Sequence, residues 1–171
     1  MRLLFGMILS MWAGLALAAQ DAVFPSIDGG NIALDDFAGR PVLVVNTASQ
    51  CGFTYQYDGL QALYDRYNVR GLVVLAVPSD DFNQELDSAA QVKEFCELNF
   101  NLTLPMADMV HVRGAKAHPF YKAVKSQTGF EPQWNFYKVL IGPDGVVVET
   151  WGSSAQPDSG AIPRAIEALL N

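Results

Sequence analysis

The chain carries two cysteines, Cys51 and Cys96, and two histidines, His111 and His118. Two Cys and two His at these spacings match no zinc pattern. No metal is therefore expected, and the chemistry to consider is that of a thiol. Cys51 stands in Asn46-Thr47-Ala48-Ser49-Gln50-Cys51-Gly52-Phe53-Thr54. The apolar run Val42-Leu43-Val44-Val45 precedes this polar turn. After it, Leu60, Leu63, Tyr64 and Tyr67 recur at i, i+3, i+4 and i+7. A cysteine thus sits where a strand hands over to a helix. The free N–H groups and partial positive charge of a helix start favour a thiolate, which is the nucleophilic form. A buried, inert thiol is the commonest fate of a free cysteine; the polar turn argues for the reactive one. Cys96 falls in a second helical pattern, on one side with Val92 and Phe95, and is expected to be buried or half-buried. The pair suits a structural disulfide and a redox couple equally well.

The elements that must position these residues follow from periodicity and turn chemistry. Phe24-Pro25-Ser26-Ile27 and Asn31-Ile32-Ala33-Leu34 flank Asp28-Gly29-Gly30, a hairpin signal. Val42–Val45 and Leu72–Val77 read as buried strands, and the long connection between them predicts a right-handed parallel βαβ unit. The polar loop Pro78–Glu85 then shares the sheet edge with Cys51, since ligands gather beyond the C-terminal ends of parallel strands. Helices are expected from about Ser88 to Phe100 and from Lys116 to Ser126, with His118-Pro119 at the entry of the latter. Phe136–Ile141 and Val146–Trp151 form an antiparallel pair across Gly142-Pro143-Asp144-Gly145. Asp158-Ser159-Gly160 caps an amphipathic last helix bearing Ile162, Ala165, Ile166, Leu169 and Leu170. The order β-α-β-α-α-β-β-α predicts an α/β, thioredoxin-like fold, a mixed central sheet with helices on both faces.

The 171 residues suggest one domain, and half of them are hydrophobic, enough for a core. A net charge of −7 argues against nucleic acid and against an anionic membrane surface as partners. Residues 1–18 read as a secretory signal peptide: Met1-Arg2, an apolar run from Leu3 to Leu17, and Ala16-Leu17-Ala18 before a cleavage point at Ala19. The apolar run is shorter than the roughly 20 residues of a spanning helix, so an uncleaved anchor is the second reading. The mature domain is expected to span 19–171, without membrane insertion, in the periplasm or outside the cell.

Three motifs resemble those of the glutathione peroxidase family, in the same order. Val45 to Thr54 is similar to its N-x-A-S-x-C-G-x-T segment, Gly114 to Tyr121 to its G-x-x-A-H-P-x-Y segment, and Trp134 to Ile141 to its W-N-F-x-K-F-L-I strand. The resemblance implies a peroxidase without a cofactor. In it Cys51 is the peroxidatic residue, Trp134 an indole donor and Asn135 an amide donor. The family's P-x-N-Q-F-G-x-Q-E loop is one residue shorter here, Pro78-Ser79-Asp80-Asp81-Phe82-Asn83-Gln84-Glu85, and its glutamine role falls to Gln84. Glu94-Phe95-Cys96-Glu97-Leu98-Asn99-Phe100 resembles the segment that holds the resolving cysteine of thioredoxin-dependent members. The insertion of tetrameric members is absent between Phe120 and Trp134, which implies a monomer with an open site for bulky lipid hydroperoxides.

The residues suit that chemistry. A thiolate attacks the terminal oxygen of R–O–OH and becomes a sulfenic acid. Trp134 N–H and the amides of Gln84 and Asn135 can donate to the oxygens. The reductant implied is a thioredoxin-like dithiol, with glutathione the weaker candidate. Blander roles exist for each residue: Trp134 as a core aromatic, Gln84 and Asn135 as loop caps, and Phe53, Tyr55, Tyr57, Met106 and Met109 as packing or as the pocket rim. A dithiol–disulfide oxidoreductase would want C-x-x-C, and position 54 is Thr. A peroxide sensor or redox relay of the same fold is the alternative function.

Overall fold

The computed structural model describes residues 19–170, so the signal peptide expected over residues 1–18 lies outside the described residues. An N-terminal hairpin, β1 (Val23–Pro25) and β2 (Asn31–Ala33), forms a small antiparallel sheet of its own. The central sheet contains β3 (Val42–Thr47), β4 (Val73–Pro78), β5 (Lys138–Ile141) and β6 (Val147–Trp151), in the order β4-β3-β5-β6. β3 pairs parallel with β4 and antiparallel with β5, and β5 pairs antiparallel with β6. The described residues form four α-helices, α1 (Gln56–Tyr67), α2 (Ala89–Phe100), α3 (Pro119–Thr128) and α4 (Ala161–Leu169). This is the thioredoxin-like layout that the element order predicts.

β3 and β4 are buried along their whole lengths. Because side chains alternate across a strand, each feeds two cores. Leu43, Val45, Val74, Ala76 and Leu140 face Tyr57, Leu60 and Leu63 of α1, Val92 and Cys96 of α2, and Ile162 and Ile166 of α4. Val42, Val44, Val73, Leu75 and Val77 face the other way, onto Phe24 of the hairpin and Phe120, Tyr121 and Val124 of α3. Both cysteines belong to the first core.

Helix ends follow local chemistry. Ser88 caps α2, its hydroxyl accepting the Gln91 N–H, and Asn101 closes it at φ 49°. His118 caps α3 just ahead of Pro119. Its Nδ1 accepts the Phe120 N–H at 3.3 Å, leaving Nε2 to donate to the Val23 carbonyl at 3.0 Å. Burial lowers its pKa, in keeping with that neutral tautomer. α3 therefore begins at Pro119 instead of Lys116. α4 starts at Gly160 without a side-chain cap, so the expected Asp158-Ser159 cap is not made. Gly59 of α1 admits the 157–158 loop: an added Cβ there would stand 2.8 Å from Pro157. The expected strand start at Phe136 is also displaced. Phe136 adopts φ 61°, a left-handed conformation that is strained for a bulky residue, and β5 begins at Lys138.

Candidate active site

The site lies where β3, β4 and the segment before β5 end together. Cys51 follows β3 by four residues and is only 4% exposed. The residues after it wind through consecutive turns, Cys51 O accepting from Thr54 N–H at 3.2 Å and Phe53 O from Gln56 N–H at 2.9 Å. α1 begins only at Gln56. Cys51 thus precedes the helix by five residues, and the expectation that it occupies the helix start is corrected. Nor does the polar turn surround the thiol with water: Ala48 and Cys51 are part of the apolar core.

The loop after β4 meets this turn, as its position beyond the same sheet edge requires. Gln84 O accepts the Gln50 N–H at 2.8 Å. The Gln84 Oε1 accepts from Asn135 Nδ2 at 3.0 Å, leaving the Gln84 Nε2 free to donate. Asn135 is fully buried, and its Oδ1 has no hydrogen-bond partner. The shortened loop closes because Asn83 takes φ 54°, with its N–H on the Asp80 carbonyl at 3.0 Å. The two aspartates brace it. Asp81 accepts the backbone N–H groups of Val112 and Arg113 at 2.6 and 3.1 Å and lies 2.6 Å from His111 Nδ1.

Trp134 is 39% exposed, and its ring packs 5.4 Å from that of Phe82. The Arg113 guanidinium lies over the Phe82 ring, 5.3 Å from its centroid. The indole is therefore a surface group at the site's rim rather than a core aromatic. Of the other aromatics, Tyr55 is exposed and Phe53 half-buried, 6.3 Å apart. Tyr57 is fully buried against Phe100 and Phe136 and belongs to the core, not the rim. Met106 is buried in the same core, and Met109 is packed against it.

Cys96 is fully buried on α2, as its helical position predicts, and both cysteines are free thiols. Burial pushes the Cys96 thiol up to about 12. The Tyr57 hydroxyl lies close enough to Cys96 for each to influence the other's ionisation, and close to the Thr47 hydroxyl, yet meets neither in good hydrogen-bond geometry. So the structure brings Gln84 and Asn135 into direct contact, joins both to the Cys51 turn, sets Trp134 beside them through the backbone, and keeps Cys96 in the core below.

Three further residues hold this arrangement; each stands inside a motif quoted above, but no role was assigned to it there. Asn46, buried at the end of β3, grips the segment carrying Trp134 and Asn135. Its Nδ2 donates to Trp134 O and its Oδ1 accepts the Tyr137 N–H, both at 3.0 Å. Its carbonyl accepts the Phe136 N–H at 2.6 Å. Lys138 is a buried cation on β5. It donates to Gln56 Oε1 at 2.5 Å, Ala155 O at 2.7 Å and Ser153 O at 3.4 Å, and Ser153 Oγ donates to the Asn135 carbonyl at 2.6 Å. Burial brings its pKa down to about 7. Glu85 is the third. The available signal was polarity inside apolar runs, at Asn46 after Val42–Val45 and at Lys138 before Val139–Ile141.

The glutathione peroxidase family model matches residues 20–125. The hydroperoxy fatty acid reductase gpx1 of Synechocystis sp. is 44% identical over 85% of this chain and 91% of its own length. The glutathione peroxidase-like peroxiredoxin gpx1 of Schizosaccharomyces pombe is 41% identical over 84% and 92%. A crystal structure of Trgpx in its apo form superposes with a TM-score of 0.72 at 31% identity, covering 90% of this chain and 96% of that one. On sequence and fold together, the chain belongs to the glutathione peroxidase family and is a peroxidase.

Proposed function

We propose that this peroxidase reduces hydroperoxides, including those of fatty acyl chains, at Cys51, with Gln84, Trp134 and Asn135 as hydrogen-bond donors and Cys96 as the resolving thiol. The observation that carries this reading is the Gln84–Asn135 hydrogen bond at the turn that bears Cys51. The Cys51 thiolate attacks the terminal peroxide oxygen, the O–O bond breaks, and the alkoxide leaves with a proton as alcohol or water. Cys51 is then a sulfenic acid. Cys96 attacks its sulfur, the S–O bond breaks, and water is released as the Cys51–Cys96 disulfide forms. A dithiol reductant returns both thiols and becomes a disulfide itself. The half-exposed Trp134, together with the exposed Tyr55 and half-buried Phe53 that follow Cys51, supports an apolar rim suited to a lipid tail, and the name of the Synechocystis relative accords with such a substrate.

A thioredoxin-like reductant is favoured over glutathione, and the protein is read as an exported monomer with residues 1–18 removed and no stable membrane insertion. The test is mass spectrometry of the protein from its native host after one equivalent of peroxide. Cys51 sulfenic acid followed by a Cys51–Cys96 disulfide is expected, on a chain that starts near Ala19. A Cys51→Ser protein that still consumes peroxide at an appreciable rate would move the chemistry elsewhere. A wild type that oxidises once and is not turned over by any dithiol would favour the sensor reading.

A further inference from the structure

Glu85 is the only carboxylate in the buried class among the described residues, 7% exposed. Taking a carboxylate out of water is costly unless its oxygens are hydrogen-bonded. Here one oxygen is satisfied twice over: Oε1 accepts the N–H groups of Ser49 and of Leu86, each at 2.9 Å. The other, Oε2, is buried and meets no partner in good hydrogen-bond geometry, although the Ser49 hydroxyl, likewise unpaired, lies close enough to the carboxylate to favour its charged form. No cation pairs with it in any ion pair among the described residues, and Asp80 instead accepts the Glu85 N–H at 3.1 Å. Burial raises its pKa accordingly. A leucine would fill this place more cheaply, so the carboxylate must supply something that packing does not.

Its partners show what that is. Ser49 and Gln50 immediately precede Cys51, and both of their N–H groups go to one dipeptide, Ser49 to the Glu85 side chain and Gln50 to the Gln84 carbonyl. The same Gln84 holds Asn135 by its side chain. We propose that Glu85 is a positioning residue for the peroxidase reaction: by accepting the Ser49 N–H it fastens the turn carrying Cys51 to the loop carrying Gln84, so that thiol and amides address one peroxide oxygen. The inference rests on the assignment of Cys51 and Gln84 given above. Its ground is geometric, since misplacement of reacting groups by about 1 Å can cost two orders of magnitude in rate.

Two substitutions separate reach from charge. Glu85→Gln keeps an oxygen where Oε1 stands and loses the charge. Glu85→Asp keeps the charge but falls short of the Ser49 N–H. Each is followed by peptide-resolved mass spectrometry as Cys51 reacts, in parallel, with hydrogen peroxide and with iodoacetamide, an alkylating agent that needs neither Gln84 nor Asn135. Glu85→Gln should oxidise within about threefold of wild type, and Glu85→Asp at least about tenfold more slowly, with alkylation of Cys51 changed far less than oxidation in both. Glu85→Met, which keeps bulk and lacks an acceptor, should behave as Glu85→Asp does and supplies the contrast if the shorter side chain does not fold. Oxidation of Glu85→Asp or Glu85→Met at the wild-type rate overturns the inference, as does a Glu85→Gln protein as slow as either. A wild-type Cys51 inert to peroxide overturns the assignment on which it rests; a fast wild type beside an equally fast Glu85→Asp overturns this inference alone.

Discussion

At the scale of single residues, the division between chemistry and packing is sharpest at Trp134. A tryptophan met in a sequence is more often core than donor, and here exposure and a lone ring contact with Phe82 place it at the rim. Trp134→Phe keeps most of that contact and removes the N–H. We expect Cys51 oxidation to slow by about tenfold or more, as for the loss of one preorganised donor, with the melting temperature nearly unchanged. Stopped-flow oxidation beside thermal denaturation checks this; a large stability loss with normal oxidation would return Trp134 to a packing role. The residues legible beforehand were those whose local sequence is distinctive: Cys51 in its polar turn, Gln84 in its loop, Trp134-Asn135 before a strand. Asn46 and Glu85 stand in the same motifs, but their roles were not legible, because the partners that define them lie 88 and 36 positions away. The burial of Cys51 was missed for the opposite reason: polar neighbours along the chain do not imply polar neighbours in space.

At the scale of elements, strands and helices were read from periodicity, and the errors fall at their ends. Phe136 continues an apolar run but is turned aside by the Asn46 clamp, and Lys116-Ala117 fit a helix that Pro119 and the His118 cap begin later. β5 also carries Lys138, whose buried ammonium ties α1 to the 153–155 loop. Its folded pKa of about 7 lies below the ordinary lysine value of 10.5, because burial disfavours the charged form. Between those two values the unfolded chain binds more protons than the folded one, so this group makes stability rise with pH across that window. Lys138→Met should remove that rise. Chemical denaturation of both proteins from pH 7 to about 10 checks it, and parallel pH profiles would refute the shifted Lys138. α2 behaves differently again. Only Val92 and Cys96 of its residues are buried, Leu98 is 75% exposed, and a cavity of about 230 Å³ borders Lys93, Cys96 and Glu97. Its outer contact with the hairpin is an exposed Lys93–Asp28 ion pair, a kind of contact that adds little stability. We expect amide hydrogen exchange in α2 to exceed that in α1, whose buried face packs on the sheet, by about an order of magnitude or more. Equal protection of the two helices would argue against local opening of α2.

At the scale of the whole molecule, the fold keeps two thiols in one core and holds one of them unreactive. Cys96 is fully buried and its thiol is pushed up to about 12, so in the proposed cycle it has to leave its site to resolve a sulfenic acid at Cys51. The lightly packed α2 is the element able to release it, and the price of that release makes the resulting disulfide easier to reduce than a structural one. A dithiol protein suits such a bond, since its second thiol completes the exchange within one encounter. Glutathione must act twice, and it is anionic against a chain of net charge −7. If the protein is exported as proposed, its dithiol partner has to work in the same compartment. The decisive variant is Cys96→Ser. It should reduce one equivalent of peroxide at Cys51 as fast as wild type, because the step as proposed uses Gln84, Trp134 and Asn135 and not Cys96. It should then stall with a thioredoxin-type donor, its Cys51 sulfenic acid persisting, while the wild type cycles. Turnover followed by donor oxidation, together with mass spectrometry of the Cys51 peptide, reads both steps. Full cycling of Cys96→Ser, or wild-type turnover with glutathione equal to that with the dithiol protein, would show that resolution bypasses Cys96 and that its burial serves the core alone.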